Sequence, residues 1–155
     1  MCGITAISAN KEALHFLLQG LEKLEYRGYD SAGITTIENN HLFTKKAKGR
    51  LQNLKDLLKD ENVLGHVGIG HTRWATHGVP SNLNSHPHTN NDETISLVHN
   101  GIIENYRELK EILILQGYKF HSETDSEVVV HLMDYYYKKE KDMLKALQLS
   151  LIHIS

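Results

Sequence analysis

Cys2 is the only cysteine in the 155-residue chain, one residue from its start. A residue that small at position two lets a processing peptidase remove Met1. The Cys2 Cα would then carry both a thiol and a free α-amine. A thiol acts as a nucleophile only as thiolate. Reference pKa values are about 8.5 for the thiol and about 7.7–8.0 for an α-amine. Near neutral pH part of the amine is unprotonated and can take the thiol proton, directly or through one water. The nucleophile then brings its own base. The plainer alternative is a small buried apolar side chain, the usual fate of a lone cysteine.

Three other places carry polar groups that could serve such a nucleophile. Arg73, Trp74, Thr76 and His77 crowd one stretch that holds the chain's single tryptophan. The planar fork of an arginine suits a carboxylate, though a loop arginine in a surface ion pair has the same composition. Asn100-Gly101 follows an apolar run. A side-chain amide beside an outward N–H makes a donor pair for a developing oxyanion, and the same dipeptide also makes a tight turn with Asn as a helix cap. Thr124 to Glu127 fits a capping box, which leaves Asp125 to meet a cation. Eleven histidines are scattered, with no HExxH and no cysteine pair, so no metal site is expected.

These residues need a frame. Cys2 to Ser8 reads as a buried strand. Asn10 is placed to cap a helix running to Leu24, with Ala13, Leu14, Leu17, Leu18, Leu21 and Leu24 on one face. Ile34–Ile37 and Leu42–Lys45 read as a hairpin around 38–41. Leu51–Lys59 is a short amphipathic helix, and the stretch from Val67 reads as a strand. Thr94–Val98 reads as a strand that turns through Asn100 into a helix over about 103–116, stopped by Gly117. A further helix carries Val129, Leu132, Met133 and Tyr136. Residues 142–155 are weakly patterned.

Bulk composition is that of one globular domain: 40% hydrophobic, 23% charged, net charge −2. That balance implies no nucleic acid and no membrane surface as partner. No apolar run approaches the ~20 residues of a spanning helix. A lone cysteine and the absence of a signal-peptide pattern point to the cytoplasm.

Five strings, in order, carry a resemblance: Cys-Gly-Ile at 2–4, Tyr-Arg-Gly-Tyr-Asp-Ser-Ala-Gly at 26–33, His-Thr-Arg-Trp-Ala-Thr-His-Gly at 71–78, Val-His-Asn-Gly-Ile-Ile-Glu-Asn at 98–105 and Ser-Glu-Thr-Asp-Ser-Glu at 122–127. Together they resemble the glutaminase domain of the glutamine–fructose-6-phosphate aminotransferases, within the N-terminal-nucleophile (class II) glutamine amidotransferases. The resemblance implies an α+β fold, a four-layer αββα sandwich with helices outside two antiparallel sheets. It makes residues 1–148 a glutamine amidotransferase domain lacking its last strands and the sugar isomerase region. Residues 149–155 do not continue the family pattern.

The resemblance also implies roles. Cys2 would attack the side-chain amide of L-glutamine, while Asn100 and the Gly101 N–H hold the oxyanion. Arg73 would grip the α-carboxylate and Asp125 the α-ammonium. Thr76 and His77 would complete the pocket, Arg27 would support the nucleophile and Trp74 would border the ammonia route. His86 takes no assigned role. No cofactor is implied. Fructose 6-phosphate would be met only through the missing isomerase region, and full-length members are homo-oligomeric. The alternatives are the glutaminase half of an amidophosphoribosyltransferase or asparagine synthetase, and an inactive binding or regulatory fragment.

Overall fold

The computed structural model describes residues 2–27, 30–74 and 79–154, with the side chain of Arg27 outside the described set. Strands β1 (Gly3–Ser8), β2 (Ser31–Glu38), β3 (His41–Lys48) and β4 (Val67–Arg73) form an antiparallel sheet in the order β1-β4-β2-β3. The β2–β3 hairpin turns through Asn39 and Asn40, both with positive φ. Two positive-φ residues define the turn type whose twist matches the flanking strands, and asparagine tolerates that conformation.

Period-two alternation gives this sheet two distinct faces. Ala32 and Ile34 join Ala47 against helices α1 (Ala13–Leu24) and α2 (Leu51–Leu58), whose Ala13, Leu17, Leu21, Leu51, Leu54 and Leu58 complete one core. Fully burying one such leucine stabilises the fold by about 1.5–3 kcal/mol. Gly33, Thr35 and Ile37 face the other way, toward a second layer. Strands β5 (His88–Thr89) and β6 (Ser96–Leu97) pair antiparallel there, and Ser96 Oγ donates to Thr35 Oγ1 at 2.9 Å.

Behind them lie α3 (Tyr106–Leu115), α4 (Ser126–Glu140) and α5 (Met143–His153). Residues Ser126 to Asp134 of α4 are all buried, so the first nine residues of this helix are enclosed on every side, while its last turn and a half emerges at the surface. Ile95 and Ile103 pack with Val129, Val130 and Met133, and Leu113 packs with Val128 and Leu132. The layer order is thus helix, sheet, sheet, helix, as the resemblance implied.

Five local expectations change. β1, expected as a buried strand, is an edge strand of the sheet in which Gly3 alone is buried. Asn10 does not cap α1: the chain enters it at Glu12 without a side-chain cap bond, and the Ala13 N–H is satisfied by Gly65 O at 2.8 Å. A backbone carbonyl from a distant turn does the work expected of a local side chain. The corner after β6 is longer than predicted, since α3 begins only at Tyr106 and Asn100 sits in the intervening loop. Thr124 makes no capping box with Glu127. Glu127 instead receives His121 N–H and Ser122 N–H at 2.9 and 2.8 Å, and Thr124 Oγ1 pairs with His88 Nε2 at 2.8 Å. The weakly patterned end folds as α5, capped by Asp142, which accepts from Lys145 N–H at 2.9 Å.

Candidate active site

Strand β1 pairs with β4 so that Gly3 stands opposite Thr72. Cys2 therefore reaches the end of β4 just where the chain leaves the sheet. Trp74 N–H donates to Cys2 Sγ at 3.3 Å, and the thiol lies 3.6 Å from Trp74 O. Cys2 is half-buried, a free thiol at the rim of the core rather than sealed within it. The Trp74 side chain is 55% exposed, so its backbone holds the sulfur while its ring faces outward.

The loop carrying Asn100 closes over the same spot. Asn100 Nδ2 donates to Cys2 O at 3.4 Å, across 98 positions of sequence. Gly101 has φ +156, and a Cβ there would stand 2.9 Å from His99 Nε2. Both facts favour glycine, which the other residues could match only by moving the His99 ring.

Alternation along β4 puts His71 and Arg73 on the face away from α1 and α2. Arg73 is 4% exposed. Asp125, at the start of α4, is 3% exposed and receives Ile103 N–H on Oδ2 at 2.7 Å. Its Oδ1 lies 3.4 Å from Ser126 Oγ, which in turn stands 3.1 Å from His99 Nδ1. Thr76 and His77 lie outside the described residues, as does the side chain of Arg27. Cys2, Trp74 and Asn100 are thus joined by direct hydrogen bonds, and Asp125 is tied to the chain just past Gly101.

A group of imidazoles backs this corner, none of which had a role in the sequence reading. His71 Nε2 is 2.7 Å from Asn100 Oδ1. The His71 ring stacks on His86 at 4.3 Å and 20°, and His88 meets His86 edge-on at 4.6 Å. Burial lowers the His71 pKa to about 4, with the Asn100 bond opposing and the Arg73 charge reinforcing it. Burial also lowers His86, the His88, His71 and Arg73 charges adding to it, and lowers His88 to about 3. All three rings are neutral near pH 7. The available sequence signal was a histidine inside a strand, two residues from Arg73 and so on its face. Among the described residues no group of three or more His, Cys, Asp or Glu side chains is arranged to hold a metal ion. No helix among them is long and apolar enough to cross a membrane.

Residues 46–148 match the family described as a glutamine amidotransferase domain. Over 146 residues, 94% of this chain, the sequence is 61% identical to a glutamine–fructose-6-phosphate aminotransferase (isomerizing) of Clostridium tetani, of which that stretch is 24%. The corresponding Clostridium perfringens protein is 54% identical over 99% of this chain and 25% of its own length. The chain thus spans about a quarter of the length of these relatives. Among solved structures, a glutamine phosphoribosylpyrophosphate amidotransferase from B. subtilis, complexed with ADP and GMP, superposes with a TM-score of 0.81. That superposition has 29% identity and covers 99% of this chain and 33% of the other.

Proposed function

We propose that this chain, which belongs to the glutamine amidotransferase domain family, hydrolyses L-glutamine to glutamate and ammonia through a thioester on Cys2. The observation that carries the reading is the convergence of two separate segments on one residue. Trp74 N–H meets the Cys2 sulfur at 3.3 Å, and the Asn100 amide meets the Cys2 carbonyl at 3.4 Å.

The chemistry follows from those groups. With Met1 removed, the α-amine takes the thiol proton. The sulfur attacks the glutamine side-chain carbonyl, forming a C–S bond while the carbonyl electrons move to oxygen. Asn100 Nδ2 and the Gly101 N–H stabilise that oxyanion. In subtilisin, loss of one such donor costs about 10²–10³ in rate. Collapse breaks the C–N bond, and the departing nitrogen takes the proton from the α-ammonium and leaves as ammonia. Water then attacks the thioester and gives a proton to the α-amine, and a C–O bond forms. The C–S bond breaks to release the Cys2 thiolate, which is reprotonated, and glutamate leaves. Arg73 binds the substrate α-carboxylate and Asp125 its α-ammonium. Thr76 and His77 complete the pocket, Arg27 supports the nucleophile, and Trp74 borders the exit of ammonia.

Identity to the aminotransferase relatives at 54–61%, against 29% to the phosphoribosyl amidotransferase, favours ammonia delivery to fructose 6-phosphate, giving glucosamine 6-phosphate. That second step belongs to an isomerase region which the matched quarter of those relatives does not include. The lone cysteine supports a cytoplasmic setting.

The test is glutamate and ammonia release by the purified chain, with loss of Met1 verified by intact mass. Turnover that Cys2→Ala abolishes supports the reading, as does its loss when Met1 is retained or the amine acetylated. Equal rates for the parent and Cys2→Ala refute it.

A further inference from the structure

We propose that His71 is a positioning residue: its ring N–H holds the Asn100 carboxamide with the nitrogen end turned toward Cys2. This rests on the glutaminase reading and adds to it the group that orients the oxyanion donor.

A carboxamide is nearly symmetric in shape but not in chemistry, since one end only accepts and the other only donates. Which end faces the nucleophile depends on what meets the other end. In the reversed orientation an oxygen would face the site, where it would repel a developing negative charge instead of donating to it. Few groups around the Asn100 amide can set the choice. Gly101 has no side chain, and Cys2 offers a carbonyl, which accepts from Nδ2 at 3.4 Å. His71 Nε2, 2.7 Å from Oδ1, is the close partner at the far end.

The ring can play that part only with hydrogen on Nε2, and its surroundings favour that form. His71 is 1% exposed, and its Nδ1 is buried without a hydrogen-bond partner among the described residues. A hydrogen on Nδ1 would leave a buried donor orphaned, which costs more than an unused lone pair. With hydrogen on Nε2 the ring donates to Asn100 Oδ1, and Nδ2 is left to face Cys2.

The rest of the neighbourhood holds the ring still. His86 stacks on its face, and His86 Nδ1 accepts His99 N–H at 3.4 Å. His88 supports His86 and is itself held by Thr124 Oγ1 at 2.8 Å. The segment carrying His86 can lie this close because Gly33, the cross-strand partner of His71, has no side chain.

The experiment follows glutamine turnover and Cys2 alkylation by iodoacetamide side by side, on the whole chain with Met1 removed. Alkylation needs the thiol but no oxyanion donor. His71→Leu is expected to lower kcat about 10- to 100-fold, short of or equal to the loss of a donor itself. KM for glutamine and the alkylation rate should stay within about threefold of the parent if the loss lies in transition-state stabilisation alone. His71→Gln places an amide N–H where Nε2 stands and should recover most of kcat. In an Asn100→Ala background His71→Leu should cost no further factor, because residues acting as one unit do not add. Should the leucine variant fail to fold, His71→Asn, whose shorter amide cannot reach Oδ1, is expected to show the same kcat loss. Unimpaired turnover by His71→Leu overturns the proposal. So does a glutamine variant as slow as the leucine one, or full additivity with Asn100→Ala. A parent chain that releases no glutamate overturns the glutaminase reading and this proposal with it. A working parent beside an equally active His71→Leu overturns this proposal alone.

Discussion

The Asp125 carboxylate receives Ile103 N–H at 2.7 Å, binding the first turn of α4 to the loop that carries Asn100 and Gly101. One residue therefore has two duties. Oδ2 supports the loop from within the core, and under the proposed function Oδ1, which accepts from Ser126 Oγ at 3.4 Å, would also meet the substrate ammonium. Two substitutions separate these duties. Asp125→Asn keeps an acceptor for Ile103 and loses the charge, so KM for glutamine should rise while stability changes little. Asp125→Ala leaves the Ile103 N–H buried and unpaired, at a cost of about 1–3 kcal/mol. Urea midpoints and steady-state kinetics on both variants check this. Equal destabilisation by the two would remove the structural duty.

Arg73 is expected to act on substrate binding. Arg73→Lys keeps the charge but loses the bidentate fork. KM for glutamine should rise about tenfold or more, the worth of one charge-assisted hydrogen bond, with a smaller change in kcat. An unchanged KM would reject Arg73 as the carboxylate clamp.

Gly33 is required by a close approach. A Cβ there would stand 2.1 Å from His86 O, a distance that only a shift of the backbone can relieve. Gly33→Ala should cost about 1–3 kcal/mol, as overpacking does, and should lower kcat because the His86 stack moves with the backbone. Thermal midpoint and turnover measured together check both effects. A variant as stable and as fast as the parent would mean the segment yields freely.

Acid should weaken the fold in two stages. His71 has its pKa lowered by burial from 6.5 to about 4, so between those values the unfolded chain binds the proton that the folded chain refuses. Stability from His71 is complete above pH ~6.5 and is lost as pH falls toward ~4. This amounts to about 3 kcal/mol for that one group. The lowered values of His86 and His88 act with the same sign. Glu127 forms the second stage. Burial opposes its charge, but the His131 ring 3.6 Å away, the Ser122 hydroxyl and the His121 and Ser122 N–H groups prevail and hold it at about 2. Its contribution is present above pH ~4.5 and fades as pH falls toward ~2. Urea midpoints measured from pH 8 to 3 should fall first below ~6.5, and His71→Gln should reduce that first slope by about one proton. A midpoint flat between pH 6.5 and 4 contradicts the neutral, buried state of these rings.

Much of this was legible in the chain because it is local. The leucine spacing of α1, the two strand runs of β2 and β3 and the polar turn at 38–41 between them depend on near neighbours, where period and turn chemistry leave few choices. The chemical character of Cys2, Arg73, Asn100 and Asp125 was legible for the same reason, since a thiol, a guanidinium, an amide and a carboxylate carry their reactivity with them. What the tertiary structure alone decided is which groups meet. The Gly65 carbonyl displaced Asn10 at the start of α1, Glu127 turned back to His121 and Ser122, and His71 met Asn100 across 29 positions. A buried polar group takes whichever partner packing brings within hydrogen-bond reach. That partner comes from another element, and no periodicity within either element records it.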